Sequence, residues 1–154
     1  MKSINSIIAA IVAVVICTSC LKSNLRELAV YDGAEITSAY VYYRYIDESV
    51  TFPLSGSHAV KQSTLKIQTD INKDACTCSI TASLPSNFPV SEQDKISTRL
   101  LVVAVQISTA AVISPAADSP ALGTPADWSS PHKYIVEAAD GKKKEWTVSV
   151  ALQK

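Results

Sequence analysis

The residues best suited to touch another molecule lie in one short run, Tyr40-Val41-Tyr42-Tyr43-Arg44-Tyr45. In an extended strand successive side chains alternate between faces. Tyr40, Tyr42 and Arg44 therefore share one side and Tyr43 and Tyr45 the other. Both faces cannot easily be core, so one tyrosine pair is expected at the surface. Aromatic rings beside a guanidinium would there form a platform for a sugar ring or a partner protein. Tyrosine also serves half-buried strands purely as packing, and that reading competes. Trp128, on the proline-rich stretch from Pro115 to Pro131, is a second candidate platform, or else a plug for one end of the fold. The stretch is long for a plain connection, which keeps a binding loop open.

Reactive chemistry is poorly represented. The four glycines, Gly33, Gly56, Gly123 and Gly141, form no phosphate-cradling loop. Ser55-Gly56-Ser57-His58 places hydroxyls beside an imidazole, but without a G-x-S-x-G elbow it reads as a polar turn. His132 follows Pro131 and reads as a loop residue. Asp47 and Glu48 are adjacent, so on a strand they point to opposite faces, which suits a solvated strand end better than paired acid/base work. Cys76 and Cys78 would share a strand face, yet residues two apart lie near the upper limit of the Cα separation a disulfide allows. They read as small strand residues, since no histidine stands at ligand spacing from them. No metal site, no cofactor and no catalytic residue is expected.

The elements that must position the tyrosines follow from composition and period. Short segments rich in Val, Ile, Thr and Tyr, broken by Gly, Pro, Asn and Asp, predict strands over Ile36–Ile46, Thr64–Asp70, Cys76–Ala82, Arg99–Ser108, Lys133–Ala139 and Glu145–Leu152. Shorter ones are expected around Val50–Leu54 and Ala111–Ser114, and no long helix is evident. Trp146, Val148, Val150 and Leu152 alternate with Thr147 and Ser149, the pattern of a half-buried strand. Leu100–Val105 is almost wholly apolar and predicts a central strand covered on both faces. Asp140-Gly141 marks a hairpin, because glycine tolerates the positive φ such turns demand. The sum is an all-β chain, a single antiparallel β-sandwich. Lys142-Lys143-Lys144 reads as a charged hairpin tip flanked by Asp140 and Glu145, with contact to anionic lipid as the alternative.

The N-terminus carries a different signal. Lys2 is followed by the apolar run Ile7 to Cys17, which at 1.5 Å per helical residue covers only about 17 Å, short of a membrane span. Such a run is a signal-peptide core. Cys17-Thr18-Ser19-Cys20 then resembles the lipobox of bacterial lipoproteins, with Cys17 standing where that motif usually has leucine. The resemblance implies removal of residues 1–19 and lipidation of Cys20. Ordinary secretory cleavage at the same small residues is the alternative. Residues 20–33 read as the lipidated end and tether, and residues 34–154 as the sandwich domain. With 14 Lys and Arg against 14 Asp and Glu, no basic footprint for nucleic acid is present.

Within the domain, Tyr134-Ile-Val136-Glu-Ala138-Ala-Asp140-Gly141 followed by Trp146-Thr-Val148-Ser-Val150 resembles the closing hairpin of immunoglobulin-like domains in Bacteroidetes lipoproteins. Ala111-Val-Ile-Ser114-Pro115, Asp127-Trp128-Ser129 and Pro131 resemble the loop that precedes it. The resemblance covers about residues 99–154. It implies an outer-membrane setting near glycan-uptake systems and a binding or spacer role, with no catalytic residues. The expectation is a lipid-anchored envelope binding module accessory to glycan capture, held to the membrane through Cys20, its partner a glycan or an envelope protein. A structural or assembly lipoprotein without a small-molecule ligand is the alternative. Leu21-Lys22-Ser23-Asn24 lacks the acidic run of surface-exported relatives, which favours the periplasmic face.

Overall fold

Alternation along one strand sets the architecture. In the computed structural model, which describes residues 30–154, β1 (Ile36–Thr51) buries Val41 and Tyr43 while Tyr40 and Arg44 face solvent. Ile36 and Ala39 are both buried although three apart, because the register against β5 (Leu101–Ile107) shifts between Ile36 and Ser38. A bulge of this kind inserts one residue and restores the phase of the faces.

The remaining strands are β2 (His58–Thr64), β3 (Lys66–Asn72), β4 (Thr77–Ser83), β6 (Val112–Pro115), β7 (Pro125–Ala126), β8 (His132–Glu137) and β9 (Lys143–Gln153). They form a four-stranded sheet ordered β2-β1-β5-β7 and a five-stranded sheet ordered β3-β4-β9-β8-β6. The two pack as a sandwich, so the all-β expectation is met. One pair departs from the antiparallel expectation, since β4 and β9 run parallel, with Cys78, Ile80 and Ala82 opposite Val148, Val150 and Leu152. Alternating apolar residues fit either direction, and only the connection between strands decides it.

A second correction falls at Leu65. The strand expected over Thr64–Asp70 is present as β3, but its first two residues form a corner where the chain leaves the first sheet as β2 and enters the second. Leu65 is buried there, and its N–H donates to the Val41 carbonyl at 3.0 Å. The strand sought around Val50–Leu54 ends at Thr51, and β2 was not expected at all. Its six residues after His58 are half-buried or exposed and carry no apolar period. The central run on β5 is covered on both faces only over Leu101, Val102 and Val103.

The core is closed by both tryptophans and by the connection from Leu84 to Leu100. Trp146 is fully buried, and its Nε1 donates to the Ala34 carbonyl at 3.0 Å, fixing the start of β1 against β9. Gly33 lies so close to Ser108 that an added Cβ would stand 2.9 Å from its side chain. The hairpin between β8 and β9 turns at Gly141, whose φ is 86°. Lys143 and Lys144 belong to β9 rather than to the tip, and all three lysines are engaged: Lys142 with Asp140, Lys143 with Glu137, Lys144 with Glu35. Lys2, Cys17, Cys20 and most of the tether lie outside the described residues.

Candidate functional site

The outer face of the first sheet carries the exposed half of the tyrosine run. Tyr40 is 37% exposed and its ring lies almost parallel to that of Tyr42, centroids 6.5 Å apart at 12°. Register places Ala104 opposite Tyr40 and Val102 opposite Tyr42 on β5. Alanine leaves the flank of Tyr40 open, whereas Val102 is buried although it lies on this outer side. Arg44 follows two residues on, and its Nε donates to Gln62 Oε1 at 2.9 Å, which fixes the guanidinium over β2. The strip continues into Ile46 and its partner Val60, both more than 60% exposed. Beyond them Val50, Phe52 and Leu54 project from the β1–β2 hairpin. At about 3.3 Å per residue the 16-residue strand carries that tip roughly 50 Å from its start.

The inward tyrosines do different work. Tyr43 is buried, stacked on Tyr45 at 6.0 Å and tilted against Phe88 at 5.8 Å. Its hydroxyl donates to Glu92 Oε2 at 3.2 Å, and Lys95 pairs with the other oxygen at 2.9 Å. Burial pushes the Tyr43 hydroxyl pKa up, and the Glu92 charge adds to it. Glu92 lies on a short 3-10 turn, Val90–Glu92, and is the buried charged residue among those described. A cleft of about 240 Å³ opens between this turn and the hairpin, lined by Tyr45, Asp47, Glu48, Glu92 and Lys95 among others. Asp47 is held at about 2 by its bond from Lys61 and by Ser49. Asp47 and Glu48 lie near the end of β1 as expected, and Asp47 is in addition paired with Lys61. Glu92 and Asp47 are each matched by a protein cation, Lys95 and Lys61.

Glu92 had no signal in the sequence reading, because the connection around it has neither helical nor strand period. Replacing it by alanine strands the Tyr43 hydroxyl in the interior, which should cost about 2–3 kcal/mol in urea unfolding, the usual range for an orphaned buried group bonded to a charge. Tyr43→Phe in the same background removes the orphan and should recover part of that loss. No recovery would show that the two do not act as a pair.

Trp128 is not a surface platform. It is 1% exposed, stacked on Tyr134 at 6.3 Å, with the His132 ring perpendicular to it at 5.0 Å. It closes one end of the sandwich, and Tyr134 anchors the loop above by donating its hydroxyl to the Pro120 carbonyl at 2.9 Å. The Trp128 Nε1 finds no oxygen or nitrogen partner. A shallower cavity of about 330 Å³ lies between residues 116–119 and 130–133, at the mouth of the proline-rich stretch. Cys76 and Cys78 are both free thiols. Cys76 sits in the turn before β4 with φ 52° and not on the strand, while burial pushes the Cys78 thiol up to about 11. Among the described residues no three His, Cys, Asp or Glu side chains are grouped to hold a metal ion.

Fold and site together define a two-sheet β-sandwich whose most accessible chemistry is a strip of tyrosine, arginine and aliphatic side chains on one sheet face. The chain belongs to the DUF5018-related family, whose model matches residues 36–149. It is similar to a solved Bacteroides fragilis protein described as secreted, with 36% identity and a TM-score of 0.72 over 82% of this chain and 100% of that one. A Bacteroides thetaiotaomicron protein described as a glycoside hydrolase shares 21% identity with a TM-score of 0.43, covering 85% of this chain and 28% of that one. No curated protein matches. Among the described residues no helix is long and apolar enough to cross a membrane.

Proposed function

We propose that this chain is a lipid-anchored binding module of the cell envelope, accessory to glycan capture and without catalysis of its own. The observation that carries the proposal is the outward pair Tyr40 and Tyr42, their rings nearly parallel with centroids 6.5 Å apart, beside an ordered Arg44. Apolar ring faces stack on the C–H faces of sugars without any ionised group. The anchor is the lipid on Cys20, and two or more acyl chains hold firmly because each buried CH₂ adds about 0.8 kcal/mol. The periplasmic face of the outer membrane is the proposed setting. Assembly with another envelope protein is the second reading, favoured by the exposed Ile46–Val60 pair and the apolar hairpin tip.

The test is a polysaccharide screen on the soluble domain followed by Tyr40→Ala and Tyr42→Ala. Each variant should weaken binding by about 1 kcal/mol or more while the domain stays folded. Tyr43→Ala should instead unfold it. Undiminished binding in both surface variants, or no polysaccharide bound at all, would leave assembly as the better account.

A further inference from the structure

We infer that the strip formed by Tyr40, Tyr42 and Arg44 selects glycans that carry carboxylates, a polyuronate chain rather than a neutral one. The inference rests on the glycan reading above and specifies its ligand class. Arg44 is exposed, and among the described residues it pairs with no carboxylate. Its neighbours across the strands on this face are Val60, Gln62 and Thr64 of β2 and Val102, Ala104 and Gln106 of β5, none of them acidic. The strands on either side of Arg44 therefore supply no carboxylate to it, and the guanidinium stays an oriented cation without an ion-pair partner among the described residues.

The geometry of that cation is specific. Gln62 occupies the Nε–H at 2.9 Å, which orients the plane and leaves the N–H groups of both terminal nitrogens for an incoming group. Two parallel N–H donors match a carboxylate in bidentate fashion. Along a strand, residues two apart stand about 7 Å from one another on one face. A pyranose stacked on Tyr42 thus places a ring carboxylate, or that of the adjoining sugar, within reach of Arg44. The amides of Gln62 and Gln106 and the hydroxyl of Thr64 supply neutral partners for sugar hydroxyls around the strip. An acidic protein segment would use the same guanidinium, and polyglutamate in the titration separates that occupant from a polyuronate.

The experiment is calorimetric titration of the soluble domain with polygalacturonate and with alginate, each beside its methyl ester. The ester keeps the ring and removes the charge. The acid form should bind about tenfold tighter, the worth of one charge-assisted bidentate contact, and the margin should shrink with added salt. Arg44→Gln should abolish the preference without moving the melting temperature, and Arg44→Lys should restore only part of it because the fork is lost. Equal binding of acid and ester would overturn the inference while leaving the glycan reading intact. A preference that survives Arg44→Gln, or polyglutamate bound as tightly as the polyuronates, would overturn it as well. If neither polymer binds in either form, the inference falls, and the polysaccharide screen alone decides the reading beneath it.

Discussion

Trp146→Ala is expected to lower the free energy of unfolding by about 3–5 kcal/mol, the range for deleting a buried aromatic side chain. The ring is wholly enclosed where β9 meets the inner face of the first sheet, and it belongs to the same buried cluster as Tyr134, Val136 and Val148. Its Nε1 also holds the Ala34 carbonyl, so the variant loses packing and the clasp on the first packed residues together. Against a total stability of about 5–15 kcal/mol this is a large share, and the variant sits close to unfolding. Trp146→Phe keeps the experiment readable. It retains most of the ring and removes only the bond to Ala34, so urea unfolding should report a loss of about 1–2 kcal/mol beyond the volume change. A phenylalanine variant as stable as the parent would mean that the clasp on Ala34 contributes nothing.

Cys20→Ala should abolish incorporation of labelled fatty acid and leave an unprocessed or soluble product, the largest effect expected of any single change. The physical reason is that the proposed anchor is covalent and concentrated at one thiol. A single acyl chain gives only marginal membrane binding and two or three hold firmly, so removing the site of attachment removes the whole of the effect rather than a fraction. Membrane fractionation of the variant is the second readout, since an unanchored domain should partition with soluble proteins. Unchanged labelling would overturn the lipoprotein assignment, and labelling that disappears while protein cleaved of its leader stays with the membrane would show a second attachment. The apolar hairpin tip carrying Phe52 and Leu54 is the surface that such an attachment would use.

The first packed residues, Ala34 to Ile36, lie at the start of β1, and the hairpin tip stands at its far end. The exposed strip runs from near the start of β1 toward the hairpin tip and so presents the tyrosines along the length of the strand. A long polymer could lie across such a face.

What the sequence determined by itself was whatever depends on local period. Alternation in Trp146, Val148, Val150 and Leu152 fixed the faces of β9, and Asp140-Gly141 fixed the hairpin before it, because side-chain direction and turn conformation are properties of a few consecutive residues. The same alternation separated Tyr40, Tyr42 and Arg44 from Tyr43 and Tyr45. It could not say which set faced solvent, since tyrosine suits a buried or an exposed side alike and only the position of the second sheet settles it. Trp128 was undecidable for the same reason, being core only because Tyr134 and His132 close over it. The corner at Leu65, the parallel pairing of β4 with β9 and the pairing of Glu92 with Tyr43 are contacts between distant parts of the chain. No short window contains both partners of such a contact. Register between remote strands is set by how the whole apolar surface is buried at once, and so it was left to the tertiary structure to decide which of the tyrosines could meet a ligand.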